Sequence, residues 1–296
     1  MIDLHLHTTY SDGADTLIEV LKKAENLELE YISITDHDTC EAYKELDEID
    51  VKKYFSGKII PGIEIKCSYK KRIIEILGYN INIKKMNEYM EKYHEQHPRE
   101  KIQQKYFDIL YDKCLNKGLI MCPKERIDFN SKTDWASIPI YEEIKSHPEN
   151  KEKLSADLWD AFSTFSKKYV GNPNTDWYID KRKDFLSLEE AIKVVKNSEG
   201  LVFLPHIFVY KWSDDKKKLL DDIVNNYDID GIECMHSEFN QEEIDYLLKY
   251  TEKNNFYKSG GSDYHGIHKP GIDMKEGRGN LKIEVELISD WIKTVK

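Results

Sequence analysis

His5 and His7 stand two residues apart in the run Met-Ile-Asp-Leu-His-Leu-His-Thr-Thr-Tyr-Ser-Asp-Gly that covers positions 1–13. Imidazole is a good ligand for zinc, iron, manganese and copper, and two rings converging from one rigid element make half a metal site. A strand is the element that would hold them. Ile2, Leu4 and Leu6 alternate with Asp3, His5 and His7, and on a strand residues i and i+2 share a face. Asp12 follows in a Ser-Asp-Gly turn, where a carboxylate can fold back over the strand end.

The other histidines decide how that pair is read. Of the ten in the chain, His5, His7, His37, His206, His236 and His265 fall at or just beyond the carboxyl end of an expected strand. Glu64 and Asp263 fall there too, and Asp263 with His265 repeats the i, i+2 spacing of the first strand. Barrels and open parallel sheets build their sites at that end, where the loops converge around the strand tips. His94, His97 and His147 lie among Glu, Gln, Pro and Lys and read as exposed, and His268 reads as a surface-loop residue. Cys234 alternates with Glu233 and His236 on its strand and reads as packing.

The elements that must position this set follow a strand–helix rhythm. A helix is expected over Thr16–Asn26, a strand at Tyr31–Thr35 and a helix from Cys40 to Tyr54. A strand follows over Lys58–Glu64, and residues 65–82 read as two strands around Lys70-Lys71-Arg72. From about 84 to 183 the strand pattern disappears, and helices are expected near 85–116, 139–147 and 151–169. The α/β order then resumes with a capping box at Ser187–Glu190 and an apolar strand at Leu201–Pro205. A helix near 214–226, a strand at Asp230–His236, helices over Gln241–Asn254 and Glu286–Thr294, and the Gly261–Gly266 motif complete it. The expected organisation is a barrel-forming part at 1–83, a helical insertion or cap at 84–183 and a second barrel part at 184–296, with the site beneath the insertion.

The 296 residues carry a formal net charge of −11, which weighs against an electrostatic binder of nucleic-acid polymers. It leaves a phosphate substrate open, because bound divalent cations reverse the local field. Five cysteines without a Cys-x-x-Cys pair argue against a disulfide framework or a thiolate zinc site and for a reducing, cytoplasmic setting. A charge at Asp3 inside the first strand argues against a signal peptide, and no apolar run reaches membrane-spanning length.

Taken together, His5-Leu-His7, Ser11-Asp12-Gly13, Thr35-Asp-His-Asp38, Pro61-Gly-Ile-Glu64, Pro205-His206 and Gly261-Ser-Asp-Tyr-His265 resemble the polymerase and histidinol phosphatase (PHP) superfamily. The stretches Gly231–His236 and Ser262–Pro270 resemble its small-phosphoesterase, TrpH-like branch. The resemblance implies an α/β fold, a distorted (β/α)7 TIM-like barrel with a mainly helical insertion. It also implies two to three divalent cations (zinc, iron or manganese), up to a trinuclear site. By the same resemblance His5, His7, Glu64 and Asp263 would hold a first ion, Glu64 and His206 a second, and Asp12, His37 and His265 a third. The family's pattern has a further histidine on the second ion, and Glu75 stands at that position here. A carboxylate there would make the second site harder and richer in oxygen.

Mixed imidazole–carboxylate sites suit hydrolysis of a phosphoester by a metal-bound hydroxide, with no protein nucleophile. The expected activity is therefore a metal-dependent phosphoesterase acting on a small phosphomonoester, a nucleotide-like one ahead of others. A histidinol-phosphate phosphatase, a non-hydrolytic metal-binding scaffold and a nuclease are the alternatives. His236 is the candidate to protonate a leaving oxygen or to bind phosphate, with a packing role equally open. The arginines Arg72, Arg99, Arg126, Arg182 and Arg278 offer no recognisable phosphate grip, and Trp135, Trp159 and Trp177 read as the insertion's core.

Overall fold

A computed structural model describes residues 1–292. The chain divides into two compact units. The first comprises Met1–Cys67, Ile74–Met90 and Leu186–Lys296, and the second Ser68–Ile73 and Glu91–Phe185. Among the described residues no helix is long and apolar enough to cross a membrane.

The strands are β1 (Ile2–Leu6), β2 (Tyr31–Ile34), β3 (Lys58–Ile59), β4 (Gly62–Tyr69), β5 (Arg72–Tyr79), β6 (Leu186–Ser187), β7 (Leu201–Leu204), β8 (Gly231–His236) and β9 (Tyr257–Gly261). They form a three-stranded sheet, β1-β2-β3, and a six-stranded sheet in the order β6-β4-β5-β7-β8-β9. β1-β2, β2-β3, β7-β8 and β8-β9 pair in parallel and β5 runs against β7, while β4 and β5, joined by only Lys70 and Lys71, form an antiparallel hairpin. This is the expected α/β fold with parallel sheets, but the ladders among the described residues do not close into one barrel. The two sheets meet instead at two isolated bridges, Leu6 to Tyr264 and His37 to Glu64. Pro61 supplies a physical reason for one break. It has no N–H to continue a ladder, so the single expected strand over Lys58–Glu64 splits into β3 and β4 around it.

The opening strand carries its two faces as its period predicts. Ile2 and Leu4 pack on Leu77, Tyr79, Phe203, Ile283 and Trp291, a core in which Tyr79 stacks on Trp291 at 5.5 Å between ring centroids. The Tyr79 hydroxyl donates to the Leu4 carbonyl at 2.8 Å, so the aromatic floor is hydrogen-bonded to the strand that carries the histidines. On its far side β1 lies against β9. A Cβ added at Gly261 would meet the His5 Cβ at 2.4 Å and the His5 backbone nitrogen at 2.5 Å. Gly261→Ala is therefore expected to lower stability by about 3 kcal/mol, read by urea unfolding, because β1 has no room to retreat from the core behind it.

The helices of this unit follow their caps. Leu17–Asn26 opens on a Thr16–Glu19 capping box, Leu188–Asn197 on Ser187–Glu190 and Gln241–Asn254 on Asn240–Glu243. The helix expected over Cys40–Tyr54 ends earlier, at Glu48, and a short 3-10 turn covers Val51–Lys53. The last one is a 3-10 turn over Val285–Ile288 followed by Ser289–Ile292. Its expected end at Thr294 lies outside the described residues.

The second unit is helical. Pro98 divides the expected 85–116 helix into Ile83–Gln96, which begins in the first unit, and Arg99–Asn116. Ser137–Ser146 is continuous, whereas 151–169 breaks into turns of three to six residues. Trp177 lies in this unit's core with Tyr106, Phe107, Ile140 and Phe165, and Trp159 packs against it. Trp135 departs from the expectation: it is half exposed, with the Arg99 guanidinium 4.9 Å above its ring.

Candidate metal centre

The strand ends of the first unit bring every expected site residue together. Glu64, on β4, is at the centre. Its Oε2 lies 3.3 Å from His5 Nε2, 3.3 Å from His7 Nε2 and 3.2 Å from His37 Nδ1, while Oε1 lies 2.8 Å from His206 Nε2. Asp12 reaches back from its turn, as its sequence position suggested, to His265 Nε2 at 3.1 Å, His37 Nε2 at 3.5 Å and His7 Nδ1 at 3.6 Å. Asp263 sets Oδ1 3.4 Å from both His7 Nε2 and His265 Nδ1, and Oδ2 3.3 Å from His236 Nε2. Glu75 lies 3.6 Å from His206 Nε2.

Three overlapping groups offer donor atoms within 4.8 Å of one another: His5, His7 and Glu64; His7, Asp12, His37 and His265; and His37, Glu64 and Glu75. His7, His37 and Glu64 are each shared by two groups. The donor set fits divalent cations on a further observation. His5 Nε2, His7 Nε2, Asp12 Oδ1, His37 Nδ1 and His206 Nδ1 are buried without a hydrogen-bond partner. A buried polar atom left unpaired costs about 1–3 kcal/mol, so five clustered in one place are the signature of atoms kept free to ligate.

Groups that sequence reasoning passed over orient these atoms. Glu233, fully buried on β8, accepts from His5 Nδ1 at 2.8 Å with one oxygen and from the His206 backbone N–H at 2.8 Å with the other. The proton this places on His5 Nδ1 leaves Nε2 to face Glu64. His265 is set in the same way, its Nδ1 donating to the Asp263 carbonyl at 2.9 Å. Asp36 receives the Thr8 backbone N–H at 2.8 Å and the Ser11 hydroxyl at 2.5 Å, fixing the loop that carries Asp12. Lys269 places Nζ 2.5 Å from Asp263 Oδ2. Backbone strain collects here as well. Asp38, His206 and Asp263 have φ values of 54°, 31° and 57°, the left-handed region that residues with a Cβ seldom occupy.

Burial opposes charge throughout the cluster, and the neighbours decide each outcome. It lowers His5, but Glu233, Glu64 and Asp263 outweigh it and hold that imidazole well above its ordinary range. Against the same burial, the neighbouring Asp263 and Glu64 carboxylates bring His7 up to about 9. Glu64, which burial would raise, is held well below the usual carboxylate range by His37 and His5. Burial, with Glu64 nearby, raises Glu75. His7 in the metal-free protein is therefore protonated at pH 7 and must lose that proton to bind a cation. Zinc or manganese titrated at pH 7 is expected to release at least one proton per chain. Calorimetry in buffers of different ionisation enthalpy checks this, and a heat independent of the buffer would contradict it.

The family described as PHP domain matches residues 3–260. The chain is 26% identical over 265 residues to the 5'-3' exoribonuclease Rnm of Escherichia coli (strain K12), covering 89% of this chain and 84% of that protein. It is 21% identical over 287 residues to a 3',5'-nucleoside bisphosphate phosphatase of Chromobacterium violaceum, covering 92% and 90%. In fold it resembles the crystal structure of a candidate metal-dependent phosphoesterase from Bifidobacterium adolescentis. That likeness has a TM-score of 0.64 at 20% identity over 98% of this chain and 94% of the other.

Proposed function

Because the chain belongs to the PHP domain family and is a metal-dependent phosphoesterase of it, we propose that it hydrolyses a small nucleotide-like phosphomonoester. The observation that carries this reading is the set of three overlapping donor groups around Glu64. By the family resemblance two or three cations would be held by sets that overlap these groups, with Asp263 and His206 joining from outside them: one on His5, His7, Glu64 and Asp263, one on Glu64, Glu75 and His206, and one on Asp12, His37 and His265. Their nitrogen and oxygen donors suit zinc, iron or manganese. Cations there would supply a Lewis acid for the phosphoryl group and would lower the pKa of a water. The isolated bridges of Leu6 to Tyr264 and His37 to Glu64 between the two sheets support reading the strands as an opened, distorted barrel.

The chain's own groups do the rest. Glu238 donates its backbone N–H to His236 Nδ1 at 3.1 Å, which puts the proton of the neutral ring on Nε2. That N–H faces the cluster at Asp263 and is the donor proposed for a substrate or leaving-group oxygen. The Chromobacterium violaceum relative's name supports a nucleoside bisphosphate as substrate, and the Escherichia coli relative's supports the 5' end of an RNA as the second reading. The net charge of −11 favours the smaller molecule. Metal analysis with a phosphate-release screen separates the readings. The screen compares a nucleoside 3',5'-bisphosphate, nucleoside monophosphates, histidinol phosphate and a 5'-phosphorylated oligonucleotide. Turnover of the bisphosphate above the rest is expected. Degradation of the oligonucleotide would establish the second reading, and a metal-loaded protein inert to all of them would refute both.

A further inference from the structure

Asp263 divides its two oxygens between different neighbours. Oδ1 faces His5 Nε2 at 3.7 Å, His7 Nε2 at 3.4 Å and His265 Nδ1 at 3.4 Å. Oδ2 faces Lys269 Nζ at 2.5 Å and His236 Nε2 at 3.3 Å. One carboxylate thus turns one edge to the imidazole cluster and gathers two N–H donors at the other. We propose that Lys269 is a substrate-binding residue which, with His236, grips the non-bridging oxygens of the phosphate. The proposal rests on the phosphoesterase reading.

The loop that carries Lys269 is built to hold it there. Gly266 turns the chain at φ 62°, a conformation glycine adopts freely, and its carbonyl accepts the Lys269 backbone N–H at 3.2 Å. One residue before Lys269, His268 Nδ1 donates to the Asp12 carbonyl at 2.9 Å and ties the loop to a cluster residue. The Lys269 side chain is 39% exposed, yet its ammonium ends on a carboxylate that is only 10% exposed. It therefore runs from solvent to the candidate metal ligands. An ammonium has three N–H groups on a flexible stem, and Asp263 accounts for one of them.

Charge makes such a grip necessary. A phosphate must approach Asp12, Glu64, Glu75 and Asp263, and four of the five guanidinium groups, the usual bidentate partners, already have partners of their own. Arg72 donates to the Gly171 carbonyl and Asn172, Arg99 to the carbonyls of Ser131, Thr133 and Asp134, Arg182 to Asp180 and Arg278 to Glu238.

Inorganic phosphate titrated by calorimetry into the metal-loaded protein tests this, with metal content measured on the same samples. Lys269→Met is expected to weaken phosphate binding by about tenfold or more at unchanged metal content. Lys269→Arg is expected to recover most of it, and KM for a phosphoester to rise more than kcat falls. Lys269→Gln, which keeps a donor without the charge, stands in if the methionine variant does not fold. Phosphate affinity unchanged in the methionine and glutamine variants would overturn the proposal, as would a loss that follows a matching loss of metal. The phosphoesterase reading fails separately. A wild-type protein that binds phosphate but hydrolyses no phosphoester would sink that reading and leave Lys269 as an anion-binding residue.

Discussion

Glu64→Gln is expected to strip the protein of most of its metal and to lower phosphoester turnover roughly a thousandfold, the scale of losing several kcal/mol of charge stabilisation. Glu64 faces His5, His7 and His37 with one oxygen and His206 with the other, and it belongs to two of the three donor groups. A glutamine keeps the size and one carbonyl oxygen but presents an amide N–H₂ where a second acceptor is needed. It therefore fails both as a shared ligand and as a counter-charge. Metal-to-protein ratio by elemental analysis and kcat at saturating metal are the measurements. A variant that keeps its metal and its rate would remove Glu64 from the centre.

The same substitution has a pH signature in the metal-free protein. Glu64, held well below its ordinary range, contributes stability above the unfolded carboxylate value and loses it as pH falls through the folded one. His7, raised to about 9, contributes stability fully below its unfolded value of about 6.5 and loses it as pH rises through 9. Both contributions are full from about pH 4.5 to 6.5, and the His7 one fades from there to about pH 9. Where both are full, the stripped Glu64→Gln variant is expected to unfold about 3 kcal/mol more easily than stripped wild type, because breaking a buried pair leaves a charge uncompensated. The deficit should shrink above pH 9. Urea unfolding in chelator at pH 6 and pH 9.5 measures it, and an equal deficit at both would assign the loss to packing.

What the sequence made legible was what its local periods encode. His5 and His7 follow from the alternation of β1, and the candidate ligands at the strand ends follow from apolar runs that stop where those residues begin. What stayed hidden depends on pairing between distant segments. On a regular strand Glu233 and His236 would point to opposite faces. The register of β8 on β9 slips between Glu233 and Met235, and the extra residue at that bulge turns both toward the cluster. Only the partner strand specifies such a slip. The left-handed backbone at His206 and Asp263 is equally silent, since no glycine marks either place. Pro61 did announce the break between β3 and β4, and its meaning lay in the missing N–H.

Glu233→Gln is the substitution with the next largest expected effect, and the residue is one that no metal would touch. Its carboxylate accepts two N–H groups, the ring N–H of His5 and the backbone N–H of His206. A glutamine offers one oxygen and one N–H₂ to the same two positions. The backbone N–H of His206 cannot reverse, so the amide oxygen stays with it and the N–H₂ turns to His5 Nδ1. That nitrogen must then accept, and the proton of the neutral ring moves to Nε2, the atom that faces Glu64 and has to carry a free lone pair. Binding a cation at His5 then requires either a tautomer that leaves two donors face to face or a rotated amide that strands the His206 N–H. The expected result is a 10- to 100-fold weaker metal affinity, the usual scale for losing the group that orients a ligating histidine. Chelator competition measures the affinity, and nitrogen chemical shifts of the His5 ring report which atom holds the proton. Loss of affinity with the proton still on Nδ1 would mean that Glu233 acts through its charge, which raises His5, and that its geometry is secondary.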